Sequence, residues 1–339
     1  VPEVKQGSDR KSRKSVPTPK EPSSGNTIVD LMIVYNQDMS TKYPGTALDT
    51  RFNELLAVVN QAYEDSDVNI TMRIVHTEEV NYSNQISNYS ALLEMTDGSG
   101  VFSGVELLRK KYGADLVTLV RPYNSNYHDS CGQAWLNGSN GQDISLFADT
   151  AYSVVSDGRH GNYYCDEYML AHELGHNMGN EHDRDHAVDQ GAYPYSYGYD
   201  KTGPNAFGTI MSYDGPILGY FSNPDISECN GNPCGVGIYR FDSANNALSM
   251  NNTASAVASF MEEKTEPQPD IKVDGSDETV TVSSDDSISV TVGLEAGNGM
   301  GQDADWWIAA DTPSGWKSLV LTQGGSLSWN RSEEHTSEL

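Results

Sequence analysis

The chain has 339 residues, with 21 Lys and Arg against 48 Asp and Glu and a formal net charge of −27. So acidic a surface repels nucleic acid and anionic membranes, and no apolar run is long enough to span a bilayer as a helix. The length suits one sizeable domain and part of another.

Residues 1–26 are rich in Pro, Ser and Lys and poor in apolar side chains. They read as a flexible linker or a propeptide remnant. The chain opens in polar sequence without Met or signal peptide, as a fragment or a processed form does. Residues 28–35 are almost continuously apolar, which predicts a strand covered on both faces. Leu48, Phe52, Leu55, Leu56, Val59 and Tyr63 recur at three and four, a helical period. Residues 70–75 read as a second strand. Val105, Leu107 and Leu108 begin another helix that Gly113 ends, and residues 114–120 form a third strand. Strand–helix–strand–helix–strand order predicts an α/β fold with a mostly parallel twisted sheet. Residues 133–136 and 151–156 add strands.

The most informative stretch follows: His172-Glu173-x-x-His176-x-x-Gly179-x-x-His182. His172 and His176 are four apart and share one helix face, so both imidazoles reach one metal ion. Leu170, Ala171, Leu174 and Met178 fall on the opposite face, and Asp166 is placed to cap the start. Gly179 supplies the turn that returns His182 as a third ligand. Three nitrogen ligands with an open position describe a catalytic zinc site. Glu173 sits beside it, in reach of a metal-associated water. His76, His128, His160 and His186 read as surface histidines.

Cys131, Cys165, Cys229 and Cys234 allow three disulfide pairings. Cys131 with Cys165 and Cys229 with Cys234 is favoured. Thiolate zinc binding, which lacks paired Cys-x-x-Cys spacing here, and free thiols are the alternatives. Disulfides imply a secreted protein. Asp242 is placed to cap a last helix holding Ala247, Leu248, Ala254, Val257 and Phe260. Residues 265–270 read as a linker. Beyond it, residues 279–282, 287–292 and 305–310 alternate as strands do, the start of a truncated all-β sandwich over 271–330. Residues 331–339 break that pattern and resemble the in-frame translation of a widely used sequencing adaptor.

The extended histidine signature, together with Gly208-Thr209-Ile210-Met211-Ser212-Tyr213 further on, resembles the metzincin zinc metallopeptidases. The resemblance spans about 240 residues, 27–264. Asp183 after the third histidine is similar to the reprolysin or adamalysin branch, while Tyr213, two residues after Met211, is similar to astacins and serralysins. The resemblance implies a zinc endopeptidase acting on a protein or peptide, and the expectation is a secreted monomer. Residues 133–136 would be the edge strand bordering its substrate cleft, able to bind a peptide by strand addition, and residues 215–224 would build its specificity pocket. Glu173 would pass a proton from the attacking water to the leaving amine, with Tyr213 helping to hold the oxyanion. Met211 would form an apolar floor, and Asp183 would anchor the turn. No EF-hand-type loop is present, and acidic loops leave room for a structural calcium. Two other classes stay open: a zinc-binding adhesion protein with an inactive peptidase domain, and a zinc amidase acting on a non-peptide amide.

Overall fold

The computed structural model describes residues 5–6, 25–262, 268–273, 275, 281, 289–295, 309–310, 317–321 and 327–331. The chain divides into two compact units, Val1–Lys264 and Thr265–Leu339.

The first unit begins with β1 (Lys5–Gln6) and β2 (Thr27–Asn36), then α1 (Gln37–Lys42), α2 (Thr46–Asp65) and β3 (Ile70–Val80). α3 (Asn88–Thr96), α4 (Val105–Tyr112), β4 (Leu116–Pro122), β5 (Gly132–Ala134), β6 (Tyr152–His160) and β7 (Tyr163–Cys165) follow. Then come α5 (Met169–Asn177), β8 (Glu181–Asp183), β9 (Tyr197–Gly198), β10 (Asp200–Lys201), β11 (Phe207–Gly208) and α6 (Asn246–Val257). The main sheet runs β1-β7-β6-β4-β2-β3, with β5 also pairing β6. β3, β2, β4 and β6 are mutually parallel, whereas β5, β7 and β1 each run against their neighbours.

β2 sits in the middle because both of its faces are apolar. Val29, Leu31 and Ile33 face a core shared with α2, α5 and α6. Met32 and Val34 face a second core with α3 and the start of α4. The chain moves from β2 to β3 on one side, then back past β2 to β4 on the other. Right-handed crossovers in opposite directions place their helices on opposite sheet faces.

Local signals explain most boundaries. Asn36 and Ser87 cap α1 and α3 by accepting backbone N–H bonds. Gly113 ends α4 in the left-handed region at φ 69°. Leu107, counted above toward the apolar pattern of α4, is exposed. α6 begins at Asn246 and is capped by Asn245, which accepts from Leu248 N–H. Asp242 is not its cap: Ser243–Ala244 first pass through backbone bonds to Arg240 and Val236. Within 1–24 the described residues are Lys5 and Gln6, which pair with Tyr164 and Tyr163. Such pairing uses backbone groups and leaves no apolar pattern to read.

In the second unit, β12 (Gln268–Val273) pairs antiparallel with β13 (Val290–Glu295). β14 (Ala309–Ala310), β15 (Lys317–Leu321) and β16 (Leu327–Arg331) form a second antiparallel sheet. β12 therefore begins inside the stretch read as a linker, and β16 ends one residue into the segment read as an adaptor. The expected strand at 279–282 lies outside the described residues, except for residue 281, which belongs to no strand. Among the described residues no helix is long and apolar enough to cross a membrane.

Candidate active site

α5 carries the site. Leu170, Ala171 and Leu174 are fully buried in the core, which turns the opposite face toward the cleft. Asp166 does not cap this helix. Tyr168 is the N-cap residue and makes no side-chain cap bond, while Asp166 accepts from Tyr168 N–H in the turn before it. The far end is a Schellman motif: Asn180 N–H bonds Gly175 O, and Gly179 N–H bonds His176 O. Gly179 has φ +92°, and a Cβ there would lie 2.7 Å from Ala192 Cβ. The reversal leads into β8, which carries His182.

The three histidines converge. His182 Nε2 lies 3.0 Å from His176 Nε2 and 3.2 Å from His172 Nε2. His172 Nδ1 bonds Ile210 O at 2.7 Å, and His176 Nδ1 bonds Asn180 O at 2.8 Å. A carbonyl only accepts, so each Nδ1 carries the proton and each Nε2 presents a lone pair inward. Nitrogens about 2.0–2.1 Å from a tetrahedral zinc ion lie about 3.3 Å apart, so the set fits that ion. Burial, with His176 adding to it, pushes His172 down to about 3. Burial pushes His176 down to about 4, and His182 is lowered by burial and by its two partners. The imidazoles are thus held neutral, the form that binds metal. Among the described residues this is the one group of three such side chains close enough to share an ion.

Glu173 is 2 % exposed, and burial raises its carboxyl pKa well above the usual range. Its side chain lies against Gly132 of β5: a Cβ there would sit 2.2 Å from Glu173 Oε1. β5 covers 132–134 rather than 133–136, and the segment just after it, together with β6, is tied to α5. Asn137 N–H bonds His176 O, and the Asn177 side chain donates to Trp135 O and Tyr152 O.

The turn at Met211 lies under α5. Met211 is fully buried, and its Sδ would be 2.6 Å from a Cβ on Gly175. Asp183 joins the two segments. Its N–H bonds Met211 O, and its Oδ2 accepts from Tyr213 N–H at 3.0 Å. Its Oδ1 lies 2.7 Å from His186 Nδ1, and that hydrogen bond raises the His186 pKa. Tyr213 OH lies 2.7 Å from His182 Nε2. Burial, with the nearby Glu173 and Glu181 carboxylates, raises the phenol pKa and keeps it protonated. His128, read above as a surface residue, is buried beside Ser156 Oγ and Asn84 O, and burial pushes it down to about 3.

Sequence reading missed Gly132, Gly175 and the carbonyls of Ile210 and Asn180. A glycine inside a strand is a signal of close approach, and Gly132 carried it. The backbone carbonyls carried none.

Cys131 is bonded to Cys165 and Cys229 to Cys234. The first bridge spans 34 residues and leads directly into α5. Opening it with reductant is expected to cost roughly 2–4 kcal/mol. Thermal unfolding with and without reductant, alongside a Cys229→Ser/Cys234→Ser chain, measures this; an unchanged transition contradicts it.

The chain matches the model of the reprolysin-like metallopeptidase family M12B over residues 25–239. It is 30 % identical over 257 residues to a peptidyl-Asp metalloendopeptidase of Pseudomonas aeruginosa, covering 68 % of this chain and 40 % of that protein. A protein of the same name from Xanthomonas campestris pv. campestris is 32 % identical over 251 residues, covering 72 % and 54 %. The chain thus spans about half the length, or less, of these curated relatives. A solved structure described as a chaperone–substrate complex is similar in fold, with TM-score 0.54 and 18 % identity over 70 % of this chain and 36 % of that one. With more than half of its length inside the family model and the histidine cluster in place, the chain belongs to the reprolysin-like metallopeptidases of family M12B.

Proposed function

We propose that this chain is a secreted zinc-dependent endopeptidase, with His172, His176 and His182 as the metal ligands. The observation that carries the reading is the convergence of three inward Nε2 atoms next to a buried carboxylate on the rim of a strand edge. A bound zinc ion supplies a Lewis acid that polarises a carbonyl and makes water nucleophilic near neutral pH. Glu173 takes the proton of the attacking water and delivers it to the leaving amine. Its raised pKa suits it to hold that proton between the two transfers. Tyr213 OH, protonated and beside His182, donates to the carbonyl oxygen as charge builds on it. Asp183 keeps Tyr213 and the Met211 turn in register with the histidines. The outer edge of β5, which has no strand beside it among the described residues, aligns an extended peptide by backbone pairing.

By likeness to the peptidyl-Asp metalloendopeptidases, the substrate is a protein or peptide with aspartate at the cleaved bond. Two disulfides support an oxidising, extracellular location. The antiparallel sheets of 265–339 support an accessory β-sandwich domain, and 27–264 is the catalytic domain. Calcium forms no part of the reading.

Digestion of casein and of Asp-containing peptides tests the proposal. Chelator is expected to abolish cleavage and added zinc to restore it. Hydrolysis that persists in chelator contradicts the assignment.

A further inference from the structure

We infer that the substrate-binding edge does not stop at β5 but continues along β7, and that Lys5–Gln6 occupies the part which takes the leaving side of a long polypeptide. What the edge binds rests on the peptidase reading above; the continuity of the edge does not.

One side of β6 is taken by β4 from Tyr152 to Asp157. On the other side, Ala134, Gln133 and Gly132 face Ser153, Val154 and Val155, and Ser156 N–H bonds Cys131 O. Further along, Cys165, Tyr164 and Tyr163 face Gly158, Arg159 and His160. Strands flanking β6 on opposite sides would be about 9.5 Å apart, yet the Cα atoms of Cys131 and Cys165 are 5.3 Å apart. β5 and β7 are therefore on the same side and run in the same direction. The disulfide splices them into one line: Ala134, Gln133, Gly132, Cys131, Cys165, Tyr164, Tyr163.

Among the described residues β5 has no strand on its outer edge. β7 has β1, antiparallel, with Lys5 opposite Tyr164 and Gln6 opposite Tyr163. A peptide bound in that sense along the whole line runs from Ala134 toward Tyr163. Glu173 rests on Gly132, which sets the cleaved bond there. Residues before the bond lie along Gln133 and Ala134, and residues after it pass Cys131 and reach β7. Gly132 and Tyr164 face positions four residues apart on β6, about 13 Å at the usual strand rise. A substrate thus meets Tyr164 only when it extends about four residues past the cleaved bond. β1 competes with such substrates and leaves short ones unaffected. Because strand pairing runs through the backbone, the competition is insensitive to side chains but not to proline.

The test uses the full chain as Lys5→Pro/Gln6→Pro, which removes both amide donors, and as Lys5→Ala/Gln6→Ala, which keeps them. Two peptides share one cleaved bond; one ends two residues after it, the other six. The proline pair is expected to raise kcat/KM on the long peptide at least about fivefold and to leave the short one within about twofold, while the alanine pair matches the parent. Equal changes on both peptides, or on neither, overturn the inference. Amide exchange at Tyr163–Cys165 in a Glu173→Gln background reads the edge without turnover. The proline pair should lose protection there and regain it with the long peptide only. If no chain cuts either peptide, the peptidase reading fails, and exchange alone decides. Protection restored by the long peptide supports the continuous edge, and none restored overturns it.

Discussion

Glu173→Gln lowers peptide hydrolysis by at least about 10²–10⁴-fold, the range for loss of a general acid–base group. The amide keeps the size of the side chain and its packing on Gly132, so helix and histidines stay in place. It cannot accept and return a proton. The substitution leaves the buried volume unchanged, so it is not expected to lower the unfolding temperature. Steady-state kinetics and thermal melts of the two chains measure both effects. Full activity in the variant contradicts the role given to Glu173, and an unfolded variant contradicts the claim that the effect is chemical.

Gly132→Ala is the second large effect. An ideal Cβ at 132 lies 2.2 Å from Oε1 and 2.6 Å from both Cγ and Cδ of Glu173, closer than any real contact. No positive φ is involved at this glycine, so the cost comes from crowding and not from backbone strain. With Glu173 buried, either the carboxylate rotates away or β5 moves outward. A displacement of about 1 Å at a reacting group costs on the order of 10²-fold in rate. The expected result is a fall in kcat of that order with the Cys131–Cys165 bridge intact. A shorter carboxylate relieves the clash, so Gly132→Ala/Glu173→Asp should lose less than the two single losses combined, a coupling that a double-mutant cycle reads. Strict additivity contradicts the contact.

Features written in local chemistry were legible in the sequence. The spacing of His172 and His176 states a shared helix face, and Gly179 states the reversal that returns His182. The unbroken apolar run of β2 states burial on both sides. Features that depend on where a distant segment lands were not. Gly132 offers only the absence of a side chain, and its partner Glu173 comes from another element. The Nδ1 acceptors of His172 and His176 are backbone carbonyls, which every residue has. Asp242 and Asp166 are good capping residues by type, but the chain takes a further turn before each helix, so Asn245 caps α6 and no side chain caps α5. β1 and β7 pair over two residues, too few to leave a periodicity.

The most direct measurement is the zinc content of three purified chains after dialysis: parent, Glu173→Gln and His176→Ala. His176 Nε2 is one of three converging nitrogens, whereas Glu173 is given a proton and no bond to the metal. Parent and Glu173→Gln should each hold about one zinc per chain and His176→Ala almost none. A Glu173→Gln chain that has lost its zinc, or a His176→Ala chain that keeps it, contradicts the three-histidine centre with Glu173 as its base.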